Sequence, residues 1–285
     1  MTVLVTGCAG FIGFHTASAL LARGEPVLGI DSLNDYYDVR LKDARLALLN
    51  KHNRFAFTKL NIADRDALAA LVQKHGDIDR IVHLAAQAGV RYSLKNPHAY
   101  AESNLLGHLN MLELARGIKD LKHLVYASSS SCYGLAATPT REDHPIEPMY
   151  PYALSKYQGE QAVMHWHKVY GLPVNAICIF NAYGPRVRTT GVYGDAAGGW
   201  RSETDLPAPR NPRAWRRVDA EQRLRRAGQQ GWCRLSVLRA PGIWALDRPH
   251  GDPRDRVRQG LPVPVPHEDV HTHHIHADDL ARAVL

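Results

Sequence analysis

The sequence predicts an α/β fold, a doubly wound parallel sheet of the Rossmann type with a truncated, atypical C-terminal region. Three observations predict it. Short, almost wholly apolar runs alternate with amphipathic stretches up to about residue 180, the pattern of strands covered on both faces by crossover helices. A glycine-rich turn, Gly7-Cys8-Ala9-Gly10-Phe11-Ile12-Gly13, joins the first such run to the first helical stretch. Beyond residue 187 residue usage changes abruptly: all nine lysines lie at or before Lys168, while residues 188–285 hold sixteen arginines and nine of the seventeen prolines. Residues 1–187 therefore read as a nucleotide-binding Rossmann domain and residues 188–285 as a distinct C-terminal region.

The elements follow in order. Residues 2–5 form a strand and residues 15–23 a helix. Strands are expected at 25–30, 54–60 and 80–86, with a helix over 64–74 between the last two. A long helix over about 99–118 leads to a strand at 123–127, and a helix over about 153–170 leads to a strand at 174–180.

Composition excludes several classes. With 45% hydrophobic residues in 285, the chain is too apolar for disorder. No run of about 18 apolar residues occurs, so no membrane span is expected. The start enters its strand without a basic region, unlike a signal peptide. Cys8, Cys132, Cys178 and Cys233 are far apart and lack metal spacing, which suggests reduced thiols and a cytoplasmic setting. A net charge of +7 admits anionic ligands without requiring nucleic acid.

The glycine turn carries the first chemistry. Gly7 suits a tight turn, Gly10 lets backbone approach a pyrophosphate, and Gly13 lets helix and strand pack closely. The helix N-terminus adds free N–H groups and a positive dipole. Asp31, eighteen residues after Gly13 at a strand end, can accept both ribose hydroxyls of NAD and would repel a 2′-phosphate. NAD is the expected cofactor.

Ser129, Tyr152 and Lys156 form a second constellation. The Y-x-x-x-K step places phenol and ammonium on one helix face, where the ammonium can favour the phenolate. Ser129, at a strand end, can hold a substrate hydroxyl in line. After a nucleotide-binding half, this set points to alcohol–ketone hydride chemistry.

Residues 1–187 resemble the extended short-chain dehydrogenase/reductase family, and within it the UDP-glucuronate 4-epimerases. The stretches TGCAGFIGFHTASALL, DSLNDYYDVRLK, HLAAQAGVRYSLKNPHAY, YASSSSCYG, YPYALSKYQGE and FNAYGPR carry the resemblance. It implies NAD held by Gly7, Gly10, Phe11, Ile12, Gly13, Asp31, Asn61, Ile62, Ala85 and Lys156. It implies Tyr152 as the base at the sugar 4-hydroxyl, Lys156 as holder of the nicotinamide ribose, and Ser129 as the orienting group for the 4-oxygen. A 4-keto sugar would turn over and take the hydride back on its other face. Asn181 would lie near the sugar or its diphosphate. Arg91 can grip an anionic group of the nucleotide-sugar substrate, or be a surface or interface arginine. Related dehydratases carry an acidic residue beside the hydroxyl residue; Ser130 and Ser131 stand there, which disfavours elimination. Family members pair as homodimers through two helices, here about 99–118 and 153–170.

Two substitutions depart from the family: Asn61 where Asp is usual, and Cys178 where Arg is usual. A larger departure follows Arg186. Residues 189–194 repeat the Ser129–Gly134 pattern at an offset of 60, and Glu221-Gln222 repeats Glu160-Gln161 at an offset of 61. This second unit resembles an atypical short-chain dehydrogenase, with Arg213 and Arg217 where Tyr152 and Lys156 stand in the first. Neither guanidinium can act as a base. The chain reads as a fusion in which two segments compete for one sheet slot, the alternative being one divergent domain with a chance echo. The front copy is expected to keep the slot, leaving the rear copy at the sheet edge or poorly ordered and the substrate pocket incomplete.

Two alternatives to an epimerase stay open: an NAD-binding protein without turnover, as a sensor or impaired fusion, and an NAD-dependent reductase of a small ketone. The H-E-x-x-H string at His267–His271 follows three prolines and reads as a strand, not a zinc helix, so no metal site is expected. The arginines of residues 213–226 are interrupted by Asp219 and Glu221 and lack aromatic platforms, so they read as a solvated helix face.

Overall fold

The computed structural model describes residues 1–136, 140, 144–180, 182–183, 236–239 and 275–276. Strands β1 (Thr2–Thr6), β2 (Val27–Asp31), β3 (Phe55–Lys59), β4 (Ile78–His83), β5 (His123–Ser129) and β6 (Val174–Ile179) form the parallel part of one sheet. Its order is β3-β2-β1-β4-β5-β6-β8, where β8 (Ser236–Arg239) pairs antiparallel with β6 at the edge. Strand β7 (Ala182–Tyr183) pairs separately with β9 (Ile275–His276). Chain order reverses between β1 and β4, which opens a crevice at the carboxyl ends of those strands.

Period-two alternation divides each strand between two cores. Val3 and Val5 pack on one face with Phe14, Ala17, Leu20, Leu46 and Leu49, while Leu4 packs on the other with Leu68, Leu71, Met111, Leu112 and Val163. Thus α1 (Phe11–Ala22) and α2 (Val39–Leu49) cover one face, and α3 (Arg65–Lys74), α6 (Gly107–Gly117) and α7 (Pro151–Tyr170) cover the other.

Several boundaries differ from expectation. Helix α1 starts at Phe11, not residue 15, because Gly10 is extended and acts as its N-cap. Strand β4 ends at His83, and the Leu84 and Ala85 amides leave the ladder to donate to the Thr6 hydroxyl at 3.1 and 2.9 Å. The expected helix over 99–118 is three pieces: α5 (Pro97–Tyr100), a π-helical turn (Ala101–Leu106) and α6. Helices α2 and α4 (Val90–Lys95) were not expected. Of the segments competing for one slot, β5 and β6 lie inside the sheet and residues 236–239 at its edge. The remainder of the repeat, Arg213, Arg217 and the His267–His271 string lie outside the described residues. Among the described residues, no helix is long and apolar enough to cross a membrane and no metal-binding cluster occurs.

Candidate active site

A cleft of about 900 Å³ opens along the carboxyl ends of the central strands. It is lined by Gly7, Gly10, Phe11, Ile12, Gly13, Asp31, Asn61, Ile62, Ala85, Arg91, Ser129, Tyr152 and Lys156. Asn181 lies outside the described residues. Residues from five strand ends and three helices are thus gathered into one concavity, with the glycine turn and the Tyr152–Lys156 pair along the same groove.

The glycine turn leaves no room for a side chain at Gly7 or Gly13. Gly7 has φ +70°, and a Cβ on Gly13 would fall 2.1 Å from the Gly7 carbonyl oxygen. Such a cradle, with the bare N-terminus of α1 beyond it, fits a dinucleotide pyrophosphate. Asp31 is buried at the end of β2 and accepts from the Ala9 and Leu33 amides at 3.2 and 2.8 Å. The Lys42 ammonium lies 3.6 Å from its Oδ1, and burial pulls Lys42 below the usual lysine pKa. Arg45, fully buried, donates to the Ala9 carbonyl at 3.1 Å and so braces the turn. The residues present therefore fit the adenosine and pyrophosphate of NAD.

At the other end, Ser129 closes β5 and Tyr152 opens α7. Pro151 occupies the first helical position, where its fixed φ starts the helix at no hydrogen-bond cost. Lys156 follows one turn later, only 4% exposed, with its ammonium 4.4 Å from the Tyr126 ring centroid. Burial pulls its pKa down to about 8, opposed by Cys132 and Glu160. Burial also raises the Tyr152 phenol, partly offset by a hydrogen bond with Ser129. Ser129 Oγ also shares a 2.8 Å hydrogen bond with Ser131 Oγ. Beneath Lys156, Ser128 donates to Glu160 at 2.6 Å, and burial holds that carboxyl above its usual range.

Sequence reading missed Lys42, Arg45, Tyr36, Gln87 and Tyr126. Lys42, Arg45, Leu46 and Leu49 recur at helical spacing behind the N-cap Asp38, so the signal for a helix with two cations on its buried face was present. Nothing local marks Tyr126 or Gln87, whose partners lie up to thirty residues or more away.

A family model described as GDP-mannose 4,6 dehydratase matches residues 4–212. The chain belongs to this family. It is 47% identical over 190 residues to an uncharacterized 37.6 kDa protein of Escherichia coli O111:H-, covering 65% of this chain and 55% of that protein. It is 44% identical over 186 residues to a UDP-glucuronate 4-epimerase of Thermodesulfobacterium geofontis, covering 65% of this chain and 57% of the relative. The solved UDP-glucuronic acid 4-epimerase of Bacillus cereus, in complex with UDP-glucuronic acid and NAD, is 36% identical with a TM-score of 0.63. That match covers 68% of this chain and 61% of the other. The chain therefore spans somewhat over half the length of these relatives. These relatives agree with the short-chain dehydrogenase/reductase resemblance of residues 1–187.

Proposed function

We propose that the chain binds NAD and epimerises C4 of a nucleotide sugar, converting UDP-glucuronate to UDP-galacturonate through a 4-keto intermediate. The observation that carries this reading is one groove lined by the glycine turn, Asp31, Ser129, Tyr152 and Lys156 together. The Thermodesulfobacterium relative's name and the B. cereus complex support it.

In this reading Gly7, Gly10, Phe11, Ile12 and Gly13 hold the pyrophosphate, Asp31 the adenosine ribose, and Asn61, Ile62 and Ala85 flank the adenine and the groove floor. Bound NAD supplies the hydride acceptor and a positive charge that favours the ionised phenol. Ser129 positions the sugar 4-oxygen, and Tyr152 takes its proton and later returns it. Lys156 holds the nicotinamide ribose, and Arg91 and Asn181 face the sugar or diphosphate. Ser130 and Ser131 supply no carboxyl beside Ser129, so elimination lacks its acid even though the family bears a dehydratase's name. A homodimer would form over the exposed Leu105, Leu106, Leu109 and Leu154, the apolar residues on the two helices expected to pair. Incubation with UDP-glucuronate, product separation and extraction of bound cofactor test the activity; light scattering tests the dimer.

NAD binding without turnover is a second reading. It is favoured by the departure after Arg186, where the sequence turns from the epimerase pattern to a repeat of its own front. Retained NAD with no interconversion of the two sugars would select it.

A further inference from the structure

The loop after β2 crosses the crevice and is tied to the loop after β4. The two strands are not neighbours; β1 lies between them. Side chains that join their loops must therefore meet beyond the end of β1, over the glycine turn. Two ties do so. Asn34 Nδ2 donates to Gln87 Oε1 at 3.4 Å, with Lys42 donating to Asn34 Oδ1 at 2.8 Å. Tyr36 rests on Gly89, where an added Cβ would fall 2.0 Å from the phenol oxygen, and its ring lies 5.0 Å from that of Tyr92.

Both anchors are themselves fixed. Leu33 has φ +53°, a left-handed conformation that costs a branched side chain energy, and its amide donates to Asp31. Gly89, at φ +103°, has its carbonyl held by the Tyr100 hydroxyl, which also donates to the Ala88 carbonyl at 2.9 Å. Gln87 is clamped at both its backbone groups by Asn104, at 2.7 and 3.1 Å. Asn34, Tyr36, Gln87 and Gly89 all line the cleft.

We propose that residues 32–37 are a strap over the dinucleotide groove, in which Tyr36 and Asn34 hold the cofactor in place between turnovers by closing its path in and out. The inference rests on the NAD-binding reading. The ties run between protein groups only, so breaking them opens that path in both directions. Entry and release both accelerate while the equilibrium affinity barely moves.

Holoprotein loaded with NAD is diluted into an excess of an enzyme that consumes free NAD, and release is timed; entry is followed by tyrosine fluorescence on mixing. Tyr36→Ala is expected to speed both steps about tenfold and Asn34→Ala about fivefold, the scale of one lost aromatic contact or hydrogen bond. Unchanged rates in folded Tyr36→Ala and Asn34→Ala overturn the strap. So does faster release with unaltered entry, which would mark a direct cofactor contact. Should Tyr36→Ala fail to fold, Asn34→Ala decides alone. A parent protein that takes up no NAD would overturn the NAD-binding reading and the strap with it, an outcome distinct from NAD bound and released at one rate in every variant.

Discussion

Lys156 is held at both ends by Tyr126: its ammonium lies 4.4 Å from the ring centroid, and the Tyr126 hydroxyl donates to its carbonyl at 3.2 Å. The ring face offers a buried cation the attraction that water would otherwise supply. With burial already holding Lys156 near a pKa of about 8, this support sets whether it is charged at working pH. Tyr126→Leu is expected to move the alkaline limb of the kcat profile to lower pH by roughly one unit, the worth of a desolvated cation–π contact. An unmoved limb would show that the ring does not support the charge.

Lys156 also costs stability. A lysine whose folded pKa lies below its unfolded value of 10.5 penalises the fold fully below about pH 8, and the penalty is relieved as pH rises towards 10.5. Lys156→Met should therefore stabilise the cofactor-free protein at pH 7 by up to about 3 kcal/mol and lose that advantage near pH 10.5. Urea titrations at the two pH values check this. Turnover should fall by roughly 10²-fold or more in the same variant.

His83 and His108 stack in the core at 5.2 Å, their planes 2° apart, next to Tyr126. Burial pushes His83 well below its ordinary range and His108 down to about 3. Below about pH 6.5 the unfolded chain takes up protons that the fold refuses, so stability should fall as pH drops from 6.5 to 3. The slope is about 1.4 kcal/mol per pH unit for each histidine. His108→Gln keeps a donor for the Gly159 carbonyl, bonded at 3.0 Å in the parent, and should flatten the slope by that amount. Equal slopes in parent and variant would contradict the assignment.

Arg91, on α4, lines the cleft. In the proposed function it grips an anionic group of the substrate. Arg91→Ala should raise KM for UDP-glucuronate about tenfold or more with little change in kcat, the loss of a charge-assisted hydrogen bond. An unaltered KM would assign Arg91 to the surface.

The sheet was legible because its strands are apolar and its turn is glycine-rich, signals that neighbouring residues carry. Gly7, Gly10, Gly13 and Asp31 were legible from their spacing, Tyr152 and Lys156 from their four-residue step and Ser129 from its strand end, whereas Phe11, Ile12, Asn61, Ile62 and Ala85 came with the family resemblance. Helix α2 puts Lys42 and Arg45 on its buried face, where a sequence pattern expects apolar residues, so its period does not stand out. The broken helix at 97–117 was read as continuous because a π turn leaves the apolar period nearly intact while adding a residue per turn. Burial, which a sequence cannot weigh, pushes both Tyr152 and Lys156 towards their neutral forms. The strap depends on contacts between residues 34 and 87 and between 36 and 89, long-range pairs that no local pattern encodes.

The most direct measurement is incubation of the purified protein with UDP-glucuronate deuterated at C4, without added reductant, followed by chromatographic separation of the two sugars. The account predicts UDP-galacturonate that keeps its deuterium at C4, no net NADH, and loss of product formation by at least about 10²-fold in Tyr152→Phe. Retention of NAD with UDP-glucuronate unchanged, or net consumption of NADH with a ketone, would contradict it.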